Sequence, residues 1–340
     1  MNKKCVVGLM IIVLSIVVLI GCANEELSAT NDSARASSAD KESILPSDPS
    51  SSYNHEEDFS VVLVGTGCPI PSVDRSGPST MIQYKGNYFL VDCGNGANLS
   101  LVKGGFNLKD MKVLMFTHLH SDHTSDFIDI LTNSWMLGNK KLDIIGPPRT
   151  KKIHEFMLDF YRDDLVYRMY RSPSVNEDGM FKNVNIKEII GENEFELYGV
   201  KISSAEMTHT MYNLAYRFDV DGKSIVISGD TSYDPDLEVL AKDADVLVMD
   251  GNVKPDGGAP IKRVEGSKPE PSEKYAGNFD VEPHVQLEDI ATIAANANVK
   301  KLILTHLLPG TFDEESVIST ISEKFKGEIV FGEDLQEINP

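Results

Sequence analysis

Three of the chain's eight histidines fall in one heptapeptide, Thr117-His118-Leu119-His120-Ser121-Asp122-His123. The stretch follows Lys112–Phe116, an aliphatic run that reads as a buried strand. Alternate side chains of an extended chain share a face, so His118 and His120 point the same way, and a turn into a following helix brings Asp122 and His123 beside them. Imidazole and carboxylate groups are ordinary ligands for zinc and related divalent ions. Each residue has a plainer reading when taken singly: Asp122 as the cap of the next helix, a histidine beyond a strand as a hydrated surface group. Four ligand-type side chains within six positions fit a metal site far better than four such coincidences.

Three more strand-like segments end in residues of the same kind: His209 after Val200–Met207, Asp230 after Ser224–Ser228, and His306 after Leu302–Thr305. Strand ends and the loops beyond them are where layered α/β proteins build their sites. Alone, Asp230 in Ser228-Gly229-Asp230-Thr231 reads as a turn residue, and His209 and His306 decide nothing. Jointly these positions account for five of the eight histidines; His284 adds a sixth, which leaves His55 and His154 without a role.

The elements that must position these groups follow from hydrophobic pattern. Val61–Val64, Tyr88–Val91, Val113–Phe116, Leu142–Ile145, Ser224–Ile227, Val246–Met249 and Lys301–Leu304 read as buried strands. Helical periodicity marks Asp122–Leu137, Thr150–Arg162, Asp236–Ala241, Gln286–Ala297 and Asp313–Phe325. Strands alternating with helices predict an α/β layered protein. Lys254–Pro283, rich in Pro, Gly, Lys and Glu, is no core element and reads as a long functional loop such as a lid.

The N-terminus is of another kind. Met1-Asn2-Lys3-Lys4, an apolar run from Cys5 to Ile20, and Leu19-Ile20-Gly21-Cys22 have the layout of a secretory signal with small residues at the cut. The run has 16 residues, short of the 18 or more usual for a membrane span. Its ending resembles a bacterial lipobox, which implies removal of residues 1–21, acylation of Cys22, and an exported protein anchored on the periplasmic or cell-surface side. Residues 22–58 are polar and without apolar periodicity, and read as a disordered tether; residues 59–340 are expected to form one domain. Cys5 lies in the signal and Cys22 takes the lipid, so Cys68 and Cys93 remain as an even pair for which an oxidising compartment permits a disulfide.

Without Lys3 and Lys4 the formal net charge of −20 becomes −22. Such a surface repels polyphosphates, and nucleic-acid affinity comes largely from Lys and Arg contacts, so a large RNA or DNA partner is disfavoured. A small-molecule substrate is expected instead. Nothing in the sequence decides the oligomeric state, and a homodimer stays open.

The ordered motifs resemble the metallo-β-lactamase superfamily, whose signature is His-x-His-x-Asp-His followed by a distant His, an Asp and a final His. The resemblance runs from Val61 to Glu333. It implies a four-layer αβ/βα sandwich with two divalent ions at one sheet edge, Zn2+ first, with Mn2+ or Fe2+ as alternatives. It gives one ion to His118, His120 and His209, the other to Asp122, His123 and His306, and makes Asp230 their bridge.

Finer motifs look like the tRNase Z and arylsulfatase-like branch: Gly65-Thr66-Gly67-Cys68-Pro69, Asp74-Arg75-Ser76-Gly77-Pro78, Val91-Asp92-Cys93-Gly94-Asn95-Gly96, Gly146-Pro147-Pro148 and Leu304-Thr305-His306. Asp92 with its glycines is read as shaping a turn. Two departures stand out: residues 149–183 show no Gly/Pro/Lys-rich RNA-gripping arm, and the His-Glu usual after the Val246–Met249 strand is replaced by Asp250-Gly251.

The implied chemistry is hydrolysis by a metal-bound hydroxide, with a small phosphodiester or an aryl or alkyl sulfate ester as substrate. Asp122, besides ligating, and His284, by helping the leaving group depart, are the residues expected to act on the reaction itself. Lactone or thioester hydrolysis is the enzymatic alternative, and a non-catalytic metal-binding lipoprotein the alternative of another class.

Overall fold

The computed structural model describes residues 59–251 and 282–340. The signal, the lipidation site at Cys22 and the tether lie outside the described residues, as does the 254–283 segment except for its last two positions. No helix among the described residues is long and apolar enough to cross a membrane.

Two seven-stranded sheets form the body. The first contains β1 (Ser60–Gly65), β2 (Ser79–Tyr84), β3 (Asn87–Val91), β4 (Met111–Met115), β5 (Leu142–Gly146) and β6 (Val184–Glu188), and is closed at one edge by the last strand, β14 (Gln336–Ile338), in the order β14-β1-β2-β3-β4-β5-β6. The second contains β7 (Asn193–Leu197), β8 (Val200–Met207), β9 (Asn213–Val220), β10 (Lys223–Ile227), β11 (Val246–Asp250), β12 (Lys301–Thr305) and β13 (Glu328–Phe331), in the order β13-β12-β11-β10-β9-β8-β7. In both sheets, hairpin-linked antiparallel strands give way to parallel ones, β3-β4-β5-β6 in the first and β10-β11-β12-β13 in the second. Parallel neighbours need crossovers, and those crossovers supply the helices.

Alternation along the strands builds three apolar layers. Val113 and Met115 of β4 meet Ile303 of β12, Val248 of β11 and Tyr216 of β9 between the sheets. Leu114 of β4 turns outward to Phe127, Ile130 and Trp135 of α3 (Phe127–Met136) and to Leu101 of α1 (Ala97–Lys103). On the far side, Leu302 and Leu304 pack against Leu237 of α6 (Pro235–Leu240), Ile290 and Ile293 of α7 (Leu287–Asn296), and Val317 and Ile321 of α8 (Glu314–Ser322). The result is the expected four-layer αβ/βα sandwich. Each fully buried aliphatic side chain stabilises it by about 1.5–3 kcal/mol relative to exposure.

Several local expectations are refined. The helix expected over Asp122–Leu137 is two helices, α2 (Ser121–Thr124) and α3, separated where Asp126 accepts from Asn98 N and its own amide donates to Cys93 O. The one expected over Thr150–Arg162 breaks at Tyr161 into α4 (Thr150–Phe160) and α5 (Arg162–Arg171). The strands β6 and β7 carry too much charge to stand out by apolar content, because they are half-exposed edges. Cys68 and Cys93 are buried free thiols, so the disulfide that the compartment would permit is absent. Cys93 is packed in the outer core with Leu90 and Ala97, while Cys68 belongs to the loop after β1 that Arg75 and Asp334 tie to the C-terminal segment.

Candidate metal centre

All seven expected ligands meet at one end of the sandwich. β4 leads into Thr117–His120, α2 carries Asp122 and His123, and β8, β10 and β12 run out into His209, Asp230 and His306. The approach of α2 requires a bare backbone opposite it. A Cβ on Gly94 would lie 2.4 Å from the Asp122 carbonyl oxygen and 2.5 Å from Gly77 C, so the loop after β3 accepts only glycine there. His306 and Asp92 both adopt left-handed backbone angles, φ 56° and 60°, the kind of local strain that sites concentrate.

The ligand atoms form two overlapping groups. His118, His120, His209 and Asp230 are one; Asp122, His123, His306 and Asp230 are the other, with the atoms of each within 4.8 Å of one another. In the first, His118 Nε2 is 2.9 Å from His120 Nδ1 and 3.8 Å from Asp230 Oδ2, and His209 Nε2 is 3.2 Å from His120 Nδ1. In the second, His306 Nε2 is 3.3 Å from Asp230 Oδ2 and 3.5 Å from Asp122 Oδ2, and His123 Nε2 is 3.3 Å from Asp230 Oδ1. Nitrogen and oxygen donors at zinc distances of about 2.0–2.1 Å in a tetrahedron stand about 3.3 Å apart, so both groups have the span of an ion's coordination shell.

In the second group, atoms aimed at that space have no other use. Asp122 Oδ2, His123 Nε2 and His306 Nε2 are buried without a hydrogen-bond partner, a costly state unless a cation is their partner. The opposite ring nitrogens are held by the protein. His123 Nδ1 donates to Asp92 Oδ2 at 2.8 Å, and His209 Nδ1 donates to the Pro283 carbonyl at 2.8 Å. Thr117 Oγ1 donates to Asp92 Oδ2 at 2.7 Å and is therefore an acceptor for His118 Nδ1 at 3.0 Å. In each case Nδ1 carries a proton and Nε2 faces the site, the arrangement that orients a metal-binding imidazole.

Charge follows the same pattern. Burial pushes the His118 pKa well below its ordinary range and that of His209 down to about 4, so both rings are neutral and ready to ligate. Asp230, against the desolvation that opposes its charge, is kept well below the carboxylate range by His306, His123 and His118.

Sequence reasoning missed the supporting residues. Asp92 is more than a turn former: it anchors Thr117 N at 2.8 Å, the Thr117 hydroxyl and His123. Asp250 stands where the family pattern was departed from, and its Oδ2 accepts from His284 Nδ1 at 2.6 Å while Oδ1 lies 3.7 Å from His306 Nδ1. Burial works against a charge on His284, but Asp250 outweighs it and lifts the pKa to about 9. His284 is thus beside the ligands, its ring 5.0 Å from that of His306 and 6.0 Å from that of His209, with Asp230, Asp250 and His306 around it. Ser232 Oγ donates to the Glu282 carbonyl, so Glu282, Pro283 and His284 are each tied to the site in turn. A carboxylate just beyond a buried strand, as at Asp92 and Asp250, is the sequence signal that could have marked both.

The fold and this ligand geometry can be set against known proteins. A model of the family described as "Anti-Pycsar protein Apyc1" matches residues 59–259. Ribonuclease Z of Mycolicibacterium paratuberculosis is 32% identical over 286 residues, covering 82% of this chain and 97% of the relative. The chain belongs to the Apyc1 family and to the tRNase Z-like hydrolases of metallo-β-lactamase fold.

Ribonuclease Z of Mycobacterium marinum is 30% identical with the same coverage. Among solved structures, the metallo-β-lactamase-fold protein YhfI of Bacillus subtilis superposes with a TM-score of 0.62 at 16% identity, covering 83% of this chain and 99% of that one. The short form of human tRNase Z follows at 0.58 and 18%, covering 82% and 98%. A diphosphatase of the PhnP family gives 0.55 and 17%, covering 82% and 96%. The protein is a metal-dependent hydrolase of this fold.

Proposed function

We propose that the protein hydrolyses a small phosphodiester at a dinuclear centre held by His118, His120 and His209 on one side, Asp122, His123 and His306 on the other, and Asp230 between them. The observation that carries this reading is that Asp230 belongs both to the group of His118, His120 and His209 and to that of Asp122, His123 and His306, whose atoms Asp122 Oδ2, His123 Nε2 and His306 Nε2 are buried without a hydrogen-bond partner. Zn2+ suits the imidazole-rich set, with Mn2+ or Fe2+ as alternatives. When bound, the ions supply Lewis acidity and a water of lowered pKa. The chain's own contribution is placement. Asp92, Thr117 and Pro283 fix the ring orientations, and Asp250 holds His284 protonated beside the reacting centre, where it can give a proton to the departing oxygen.

The phosphodiester reading is supported by the ribonuclease Z relatives and the diphosphatase neighbour, both named for phosphorus chemistry. A small substrate is supported by the net charge of −20 and by the pair of helices, α4 and α5, that fills residues 150–171.

Metal-reconstituted protein assayed on bis-p-nitrophenyl phosphate, a cyclic nucleotide, precursor tRNA, p-nitrophenyl sulfate, a lactone and nitrocefin tests this. Turnover of the small phosphodiesters well above the others is expected, together with loss of both metals and of activity in Asp230→Ala but mainly of one metal in His209→Ala. Preference for tRNA, for the sulfate or for the lactone overturns the substrate; two equivalents of metal and full activity in Asp230→Ala overturn the centre.

A further inference from the structure

The metal centre occupies the end of the sandwich at which the parallel strands finish, and the end at which they start has a charge of its own. Along that end of the first sheet β3, β4, β5 and β6 follow one another about 4.8 Å apart. Each start carries lysine: Lys85 in the β2–β3 turn, Lys109 and Lys112 at the start of β4, Lys140 and Lys141 just before β5, and Lys182 just before β6. The register sets these starts side by side, with Tyr88 opposite Met111 and Leu142 opposite Val184. Lys85, Lys109, Lys141 and Lys182 are exposed, and Lys112 and Lys140 half-buried. Of the acids nearby, Glu177 pairs with Lys182, Asp178 and the buried Asp143 accept from Asn183 and Asn185, and Asp110 is half-buried. Lys109, Lys112 and Lys141 have no ion pair among the described residues. Such a row stands out on a chain with 52 acidic against 32 basic side chains. Leu137, 55% exposed at the C-terminal end of α3, borders it three residues before Lys140. Basic groups beside an exposed aliphatic side chain are what a surface that rests on lipid presents.

The occupant follows from where the rest of the chain joins, and rests on the anchor expected at Cys22. β1 starts at Ser60, which pairs with Gln83 of β2, two residues from Lys85. The 37 residues from Cys22 to Asp58, read from their composition as a tether, therefore join the domain at the lysine-bearing end. A coil of that length spans roughly 35 Å, and the fully extended chain about 130 Å. An acylated Cys22 thus keeps this end within a few nanometres of its membrane without fixing which face turns toward it. Anionic headgroups supply that choice, because they attract the lysines and repel the acidic remainder of the surface. The metal centre then faces away from the lipid, open to a dissolved substrate.

We propose that the lysine-bearing end of the first sheet, with Leu137 at its border, docks on an anionic membrane surface. The chain from residue 22 onward with Cys22→Ser keeps every described residue and lacks both the apolar run and the acyl site, so its binding to vesicles reads the face itself. Co-sedimentation with phosphatidylethanolamine–phosphatidylglycerol vesicles is expected, weakening as salt rises from about 0.05 to 0.5 M, with none on phosphatidylcholine. Lys109→Glu with Lys141→Glu should weaken it at least about tenfold, since each lysine near such a surface contributes about fivefold. Leu137→Asp should weaken it as well. Hydrolysis of bis-p-nitrophenyl phosphate in solution and the melting temperature should not change in these variants. Lys151→Glu with Lys152→Glu, exposed on α4, alters the net charge equally and should leave vesicle binding unchanged. Absence of binding to the anionic vesicles overturns the inference, as does an equal loss in the α4 pair, which would make net charge the cause. Binding that appears only after Glu56→Gln, Glu57→Gln and Asp58→Asn would assign the row to those acids of the chain. Precursor tRNA held by Lys109 and Lys141 while vesicles are not would assign it to nucleic acid. Either result overturns the assignment to lipid.

Discussion

At the scale of single residues, the site is a set of donors whose free valences converge and whose other atoms are taken. His118, His123 and His209 each have one nitrogen occupied by Thr117, Asp92 or Pro283, so which nitrogen faces the site is decided before any ion arrives. His284 differs from them. Its Nδ1 is engaged by Asp250 at 2.6 Å, its charge is favoured, and it belongs to neither of the two groups that the seven expected ligands form, although with Asp230, Asp250 and His306 it makes a third cluster whose atoms lie within 4.8 Å of one another. His284→Ala should therefore keep both metals and the melting temperature but lose roughly 10²–10⁴-fold in turnover of an ester with a poor leaving group, the usual scale for acid–base help. The loss should shrink for a nitrophenyl ester, whose leaving group departs without a proton, and Asp250→Asn should reproduce part of the same pattern. Equal losses on good and poor leaving groups would remove the proton-donor role, and loss of metal would make His284 a ligand or support.

The elements explain why these residues meet. Parallel strands point their C-terminal ends to one edge, so β4, β10, β11 and β12 deliver His118, Asp230, Asp250 and His306 side by side although nearly 200 positions separate the first from the last. The helix α4 holds a different histidine. His154 is 6% exposed, its ring 6.4 Å from Phe127, and its Nε2 has no hydrogen-bond partner among the described residues. Burial lowers its pKa below 6.5. The sign of the linkage follows: below 6.5 the unfolded chain takes up a proton that the folded chain resists, so its contribution is complete above that pH and is lost as pH falls through the folded value. Denaturant titrations from pH 8 to pH 5 should show that His154→Phe loses less stability on acidification than the parent chain. Parallel pH profiles for the two would show that His154 titrates without cost.

At the scale of the molecule, the domain is the part the fold accounts for, and the address proposed for it rests on the first 22 residues. The Leu19-Ile20-Gly21-Cys22 sequence predicts a mature chain beginning at an acylated Cys22, each buried methylene adding about 0.8 kcal/mol of membrane affinity. Mass spectrometry of the N-terminal peptide from the native host should find the lipid there; an unmodified Cys22, or residues 1–21 still attached, would refute the anchor. From the residues themselves came an α/β layered protein and one local mark of a metal site, Lys112–Phe116 followed by His118-x-His120-x-Asp122-His123; the resemblance of the ordered motifs supplied the four-layer sandwich, which the fold bears out, and the seven candidate ligands, which the structure brings to one end of it. Sequence alone was not enough for Asp92, which looked like a turn residue, for Asp250, which looked like a departure from pattern, or for the free thiols of Cys68 and Cys93, since each depends on what lies opposite in space. The outward face of α4 and α5 belongs with these. Phe156, Phe160, Val166 and Tyr170 have the composition of core residues, and only the packing of Leu165 and His154 toward the sheet reveals that they face away from it. Periodicity states that a helix has two faces; which of them meets the core is decided by the tertiary structure, because that choice rests on contacts between segments far apart in the chain.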